Sequence, residues 1–190
     1  LREAVEIAAS EGAECIVSAG DLFGHRDPSQ EAFDSFIDAV GDIIPFADTG
    51  GNHTEGQRRS GLAATRVLSR LSQRFPWTFV RCSVQFLPDL PVVALPWPRP
   101  VDYLNDAEIA ALSIPDLIVR TRQRVMGGLL RLCSHASAPV VLTGHAMMSY
   151  GQGEPPMLGK DVVLRYEDLC ALPNVQAVLM GHVHDPRQPG

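Results

Sequence analysis

Cys15-Ile16-Val17-Ser18-Ala19-Gly20-Asp21 is a short, mostly apolar run that ends in glycine and then, at once, in a residue able to ligate a metal. The same construction recurs three times. Ile43 to Thr49 leads to Gly51-Asn52-His53, Val140 to Thr143 leads to Gly144-His145, and Val175 to Met180 leads to Gly181-His182-Val183-His184. Apolar, β-branched or alanine-rich runs of this length, punctuated by glycine, read as buried strands. Each is expected to deliver its tip to one edge of a sheet, and open α/β sheets hold ligands at the carboxyl ends of their strands. Glycine before each ligand lets the backbone turn sharply and brings several loops close to one point. His182 and His184 are two apart, so in an extended segment they share a face while Val183 points to the core.

Between these runs lie helical patterns. Leu1, Val5, Ala8 and Ala9 fall on one side of an opening amphipathic helix, with Glu3, Glu6 and Glu11 largely on the other. Ser29 is placed to cap a helix in which Ala32, Phe33, Phe36, Ile37 and Val40 recur at helical spacing. A further helix is expected from about Leu62 to Leu71 and a long one from Ile114 to Cys133, with a bend allowed at Gly127-Gly128. Phe79 to Phe86 alternates like one strand, Val92 to Leu95 is a short apolar strand, and a helix N-cap is expected near Tyr166 to Asp168. Pro96-Trp97-Pro98-Arg99-Pro100 is a stiff connection that suits neither helix interior nor central strand. Strand-then-helix alternation of this kind makes a layered α/β domain.

Composition narrows the function classes. The chain has 190 residues, 45% of them hydrophobic, enough for one well-packed core. Its formal net charge of -6 gives no basic footprint that would by itself announce nucleic acid. Bound cations would supply the missing positive charge. The four cysteines, Cys15, Cys82, Cys133 and Cys170, form no C-x-x-C pair and read as reduced, buried thiols of a cytosolic protein. Neither a long apolar span nor the order of residues in a signal peptide is present, so no membrane partner is expected.

Imidazole, carboxylate and carboxamide oxygen together suit manganese, iron or zinc-like divalent ions, because nitrogens of intermediate softness are mixed with hard oxygens. One carboxylate can bridge two cations about 3.5–4 Å apart, and such a pair can activate water and clamp a phosphoester. Asp21 is the natural bridge. Singly, a Gly-Asp or Gly-His pair is better explained by a turn aspartate or a satisfied buried histidine; the ordered set of four carries the metal reading.

That order, G-D, G-N-H, G-H, G-H-x-H, resembles the calcineurin-like metallophosphoesterases. Longer strings narrow the likeness to the SbcD-type DNA exonucleases: Ala19-Gly20-Asp21-Leu22-Phe23 with Asp27-Pro28-Ser29, Leu95-Pro96-Trp97-Pro98-Arg99-Pro100, Leu142-Thr143-Gly144-His145-Ala146 and Met180-Gly181-His182-Val183-His184. The resemblance spans nearly the whole chain. It implies an α/β/β/α sandwich, with residues 1–190 as one nuclease core truncated at both ends, because the family's opening Asp-x-His strand would precede Leu1 and further segments would follow the last motif. It implies two divalent ions, manganese first, with iron, zinc or magnesium as alternatives. Asn52, His145 and His182 would hold one, His184 would help hold the other, and Asp21 would bridge them. His53 would be the catalytic, non-ligand histidine facing the scissile phosphate. Thr54 stands where the family usually has an acidic residue, leaving Glu55 as a substitute partner for the imidazole.

Three functional readings follow. The first is a two-metal phosphodiesterase acting on DNA beside an SbcC-like coiled-coil ATPase, cytoplasmic and compatible with a homodimer. The second keeps the chemistry but takes a small phosphodiester or a phosphoprotein. The third is a non-catalytic scaffold, if the Asp-x-His motif is truly absent from the parent protein. Lesser candidates each have a plainer explanation. His25 lies near the expected site and can reach a phosphate or nucleotide, against a solvated loop histidine. Arg120, Arg124 and Arg131 share a helical face, against an ordinary solvated surface, as for His135. Trp77 and Trp97 can stack on bases, against packing in their apolar, proline-flanked context.

Overall fold

The computed structural model describes residues 1–23, 28–41, 43–52, 77–80, 84–87, 91–151 and 161–182. The helix expected from Leu62 to Leu71 lies outside them. Three short strands, β1 (Ile16–Ser18), β2 (Phe46–Asp48) and β3 (Trp77–Phe79), make a parallel sheet in that order. A second sheet has the order β4-β5-β6-β9. In it β4 (Gln85–Leu87) runs antiparallel to β5 (Val92–Leu95), while β5, β6 (Val140–His145) and β9 (Val175–Gly181) are parallel. A small parallel pair joins β7 (Met147–Ser149) to β8 (Val163–Arg165).

Each strand alternates faces, and the two faces go to different cores. Phe46 packs with Val5, Phe36, Val40 and Ile44 beneath α1 (Arg2–Ser10) and α2 (Gln30–Val40). Its neighbour Ala47 faces the other way and meets Val80, Leu87, Val92 and Ala94. Val93 and Leu95, offset by one from Val92 and Ala94, join Val140, Leu142, Ile118, Val125 and Leu129. The order is helices, sheet, sheet, helix: the expected α/β/β/α layering. Aromatic side chains fill the first layer, with Phe36 against Phe46 at 5.3 Å and Phe23 against Phe33 at 5.1 Å between ring centroids.

The helices begin where their caps dictate. Ser29 accepts from the Ala32 amide at 3.3 Å and starts α2, which ends at Gly41. After two short helices, α3 (Pro100–Tyr103) and α4 (Asp106–Ala111), the long helix α5 (Ile114–His135) starts at Ser113 and runs through Gly127 and Gly128. Ile118, Thr121, Val125, Leu129 and Cys133 line its buried stripe. Arg120, Arg124 and Arg131 are on its exposed side, Arg124 paired to Glu108 at 3.3 Å, which agrees with the solvated reading. Among the described residues no helix is long and apolar enough to cross a membrane.

Several expectations change. Phe79 to Phe86 is not one strand: β3 closes one sheet and β4 opens the other, and Val80 is buried between the two sheets. Residues β1 and β9 were expected to bury are only half-buried, and Leu179 is 57% exposed, because each strand lies at the end of its sheet's order. The last helix, α6 (Tyr166–Cys170), has Arg165 as its N-cap with no side-chain cap bond, in place of a cap from Tyr166 to Asp168. Leu1 and Ala9 face solvent. Of the described cysteines, all free thiols, Cys133 is buried but Cys15 is half-buried and Cys170 exposed.

Glycine at 144 is a steric requirement of the sheet. It pairs with Leu95 in the β5–β6 register, and a Cβ there would strike the Leu95 carbonyl and lie 2.7 Å from the Leu95 Cβ. Neither atom is the end of a flexible side chain. Gly144→Ala is therefore expected to lower stability by about 1–3 kcal/mol, the usual cost of overpacking. Urea unfolding measures it, and an unchanged midpoint would mean that β5 and β6 approach less closely in solution.

Candidate metal centre

The four glycine junctions come from two sheets, a correction to the single sheet edge expected. Asp21 follows β1 and Asn52 follows β2 in one sheet; His145 ends β6 and His182 follows β9 in the other. The Thr49 amide and hydroxyl both donate to the Ser18 carbonyl at 3.1 Å, which staples the tips of β1 and β2 together.

His145, 2% exposed, is the hub. Its Nδ1 lies 2.8 Å from the Ala19 carbonyl oxygen, which can only accept, so Nδ1 carries the hydrogen. Its Nε2 then faces Asn52 Oδ1 at 3.0 Å and Asp21 Oδ2 at 3.1 Å. The same Asn52 oxygen lies 3.2 Å from Nδ1 of His182. An imidazole lone pair pointing at a carboxylate and a carboxamide oxygen needs positive charge among the three atoms. A divalent cation supplies that charge, and the carbonyl behind Nδ1 is the usual outer partner that fixes the ring of a metal-ligating histidine. The donors fit a metal in kind. Among the described residues, however, no three His, Cys, Asp or Glu side chains gather at metal-binding spacing. Asp21 and His145 pair directly, and Asn52 extends the pair to His182.

Of the four sharp turns expected at glycine, only the one at Gly20 sits where the sequence puts it. Gly20 has φ +88°, and a Cβ on it would lie 2.7 Å from His145 Nδ1 and 2.8 Å from the Gly50 carbonyl. At Gly51, Gly144 and Gly181 the φ is ordinary, and what glycine provides is room for Asp21, Leu95 and Ala19 respectively. The candidate ligands themselves take left-handed backbone: Asp21 at φ 52° and His182 at φ 90°. For histidine this conformation is rare and costs on the order of 1–3 kcal/mol.

Of the remaining sequence candidates, His25, His53 and His184 lie outside the described residues, as do Thr54 and Glu55. Asp48 was not foreseen as a contributor, and Trp97 was named from the sequence only for base stacking or packing. Trp97, half-buried, has its ring centroid 4.6 Å from that of His182 and 5.8 Å from that of His145. Asp48, the last residue of β2, is fully buried; its Oδ2 accepts from the Gly50 amide at 3.1 Å and its Oδ1 has no hydrogen-bond partner among the described residues. Burial pushes its carboxyl up to about 6, against the opposing effects of Ser18, the Gly50 amide and His145, with Asp21 adding to the rise. An acidic residue directly before Thr49-Gly50-Gly51, in an otherwise apolar run, was the available signal.

A family model described as calcineurin-like phosphoesterase matches residues 1–186 of the chain. No curated protein matches it.

The carboxyl at Asp48 sets a pH signature. In the folded chain it titrates near 6 rather than 3.8, so the folded state holds a proton that the unfolded chain has released. Stability therefore falls as pH rises from about 4 to about 6, by roughly 3 kcal/mol in all. Asp48→Asn removes that dependence and is expected to be the more stable chain above pH 6. Denaturation of both proteins in EDTA across pH 4 to 8 measures this, and parallel curves would contradict it.

Proposed function

Because the chain belongs to the calcineurin-like phosphoesterases, metal-dependent hydrolases that bind divalent ions, we propose that it hydrolyses DNA backbone phosphodiesters as an SbcD-like exonuclease. The observation that supports this branch is where its distinguishing string falls. Leu95 to Pro100, which resembles the SbcD type, seats Trp97 against both His145 and His182. The first string likewise ends in Asp21 and the buried Phe23.

In this reading Asn52, His145 and His182 would hold one divalent ion, His184 would help hold a second, and Asp21 would serve both; manganese would be the preferred metal. When bound, such ions lower the pKa of water and draw charge from phosphoryl oxygens. The protein's own work is placement. Ala19 holds the His145 ring with Nε2 directed inward, Asn52 joins the two histidines, and the glycines let both sheet tips close on one volume. His53 holds the proton destined for the leaving oxygen. An SbcC-like ATPase is the proposed partner, with the cytoplasm as the compartment. The acidic balance, 22 acidic against 16 basic side chains, favours a second reading in which the substrate is a small phosphodiester.

Manganese-dependent cleavage of a labelled DNA duplex and of a small aryl phosphodiester by the full-length protein separates the two. Cleavage of both, lost in Asp21→Asn, is expected; cleavage of the small ester alone would select the second reading, and cleavage of neither despite bound metal would favour a scaffold. His53→Ala should lower turnover by about 100-fold or more with metal content nearly unchanged. Large loss of bound metal in that variant would show the assigned role to be wrong.

A further inference from the structure

We propose that Trp97 is a positioning residue that sets the ring orientation of His182, and with it His145, for metal binding. The inference rests on reading Asp21, Asn52, His145 and His182 as a metal centre.

Trp97 touches three of the four ligand-bearing segments. Its backbone amide donates to the Gly50 carbonyl at 3.3 Å, two residues before Asn52. Its indole lies tilted at 45° to the His182 ring and edge-on at 63° to the His145 ring, and those two imidazoles are 5.1 Å apart at 73°. The segment that carries it is itself stiff. Pro96 and Pro98 flank it and fix their own φ angles. On one side the fully buried Leu95 ends β5, and on the other the Arg99 guanidinium grips Asp102 of α3 at 2.6 and 3.2 Å.

The two histidines need this wall unequally. His145 is the last residue of β6, almost fully buried, and held by the Ala19 carbonyl. His182 lies past the end of β9, half-buried and in left-handed backbone. The His182 ring is tied to Asn52 through Nδ1 at 3.2 Å, and the indole at 4.6 Å packs on it and narrows the χ range that remains. Side chains that orient metal ligands in this way typically cost 10–100-fold in metal affinity when removed.

The test is manganese affinity, read from the electron-spin-resonance signal of free Mn2+ titrated into the purified protein. Trp97→Ala is expected to bind about 10–100-fold more weakly, and Trp97→Phe, which keeps an aromatic face toward His182, to recover most of the loss. Melting in EDTA reports the fold separately, since a merely structural role would move the melting temperature and leave affinity per folded molecule unchanged. Wild-type affinity in folded Trp97→Ala overturns the proposal. Should that variant fail to fold, Trp97 serves as its own probe in the Trp77→Phe chain. Paramagnetic Mn2+ must then quench its emission while Mg2+ does not, and unquenched emission with Mn2+ bound overturns the proposal. If wild-type protein binds no Mn2+ at all, the metal-centre reading fails and this one with it.

Discussion

The position of His145 Nε2, facing both Asn52 Oδ1 and Asp21 Oδ2, is the constraint on which the rest of the molecule depends. Three lone-pair-bearing atoms converge, and they come from three different strand ends in two sheets. They meet because the sheets pack face to face through Ala47, Val80, Leu87, Val92 and Ala94, small and branched aliphatic side chains that bring the strand tips level. The glycines at the tips are the second half of the same requirement. Substituents at Gly20, Gly51 and Gly181 would each run into another ligand loop rather than into solvent.

The layered fold was largely legible in the sequence, because strands buried on both faces write short continuous apolar runs directly into residue choice. Val92 to Leu95 divides two and two between cores, and so the apolar run had to be buried on both faces. The convergence of Asp21, Asn52, His145 and His182 was legible for a different reason: each is marked by a glycine whose purpose is tertiary. What escaped reading was set by sheet order. Half-exposure of β1 and β9 follows from their lying at the ends of their sheets, and no local pattern encodes that position. The alternation from Phe79 to Phe86 concealed a passage between sheets for the same reason. The short helix α4 was readable from Asn105 and Glu108, which form a reciprocal capping box at 2.9 and 3.0 Å. Asp48 and Trp97 escaped because their roles depend on what other segments bring to them.

Charge is organised against the hydrophobic layering. A fully buried carboxylate, with one oxygen unpartnered among the described residues, stands at the end of β2, a few residues before Asn52, and Asp21 adds a second negative group in the same neighbourhood. In a protein interior such groups are costly unless a cation or a set of donors answers them. The backbone amide of Gly50 and the Ser18 side chain answer only part of the charge at Asp48. The strand tips therefore form a region whose electrostatics favour a bound cation, inside a chain whose surface charge alone would not suggest phosphate binding.

The contacts of the centre also have a kinetic meaning. His145 reaches Ala19 across 126 residues, Asn52 across 93, and His182 reaches Asn52 across 130. Contacts of such high sequence separation close late, after the entropy of the intervening loops has been lost. A growing or partly folded chain thus presents single donors but no centre, and an ion distinguishes the finished molecule from its precursors. Binding then draws the population toward the native state by mass action, so the supply of the ion sets what fraction of the protein is folded as well as whether it can react.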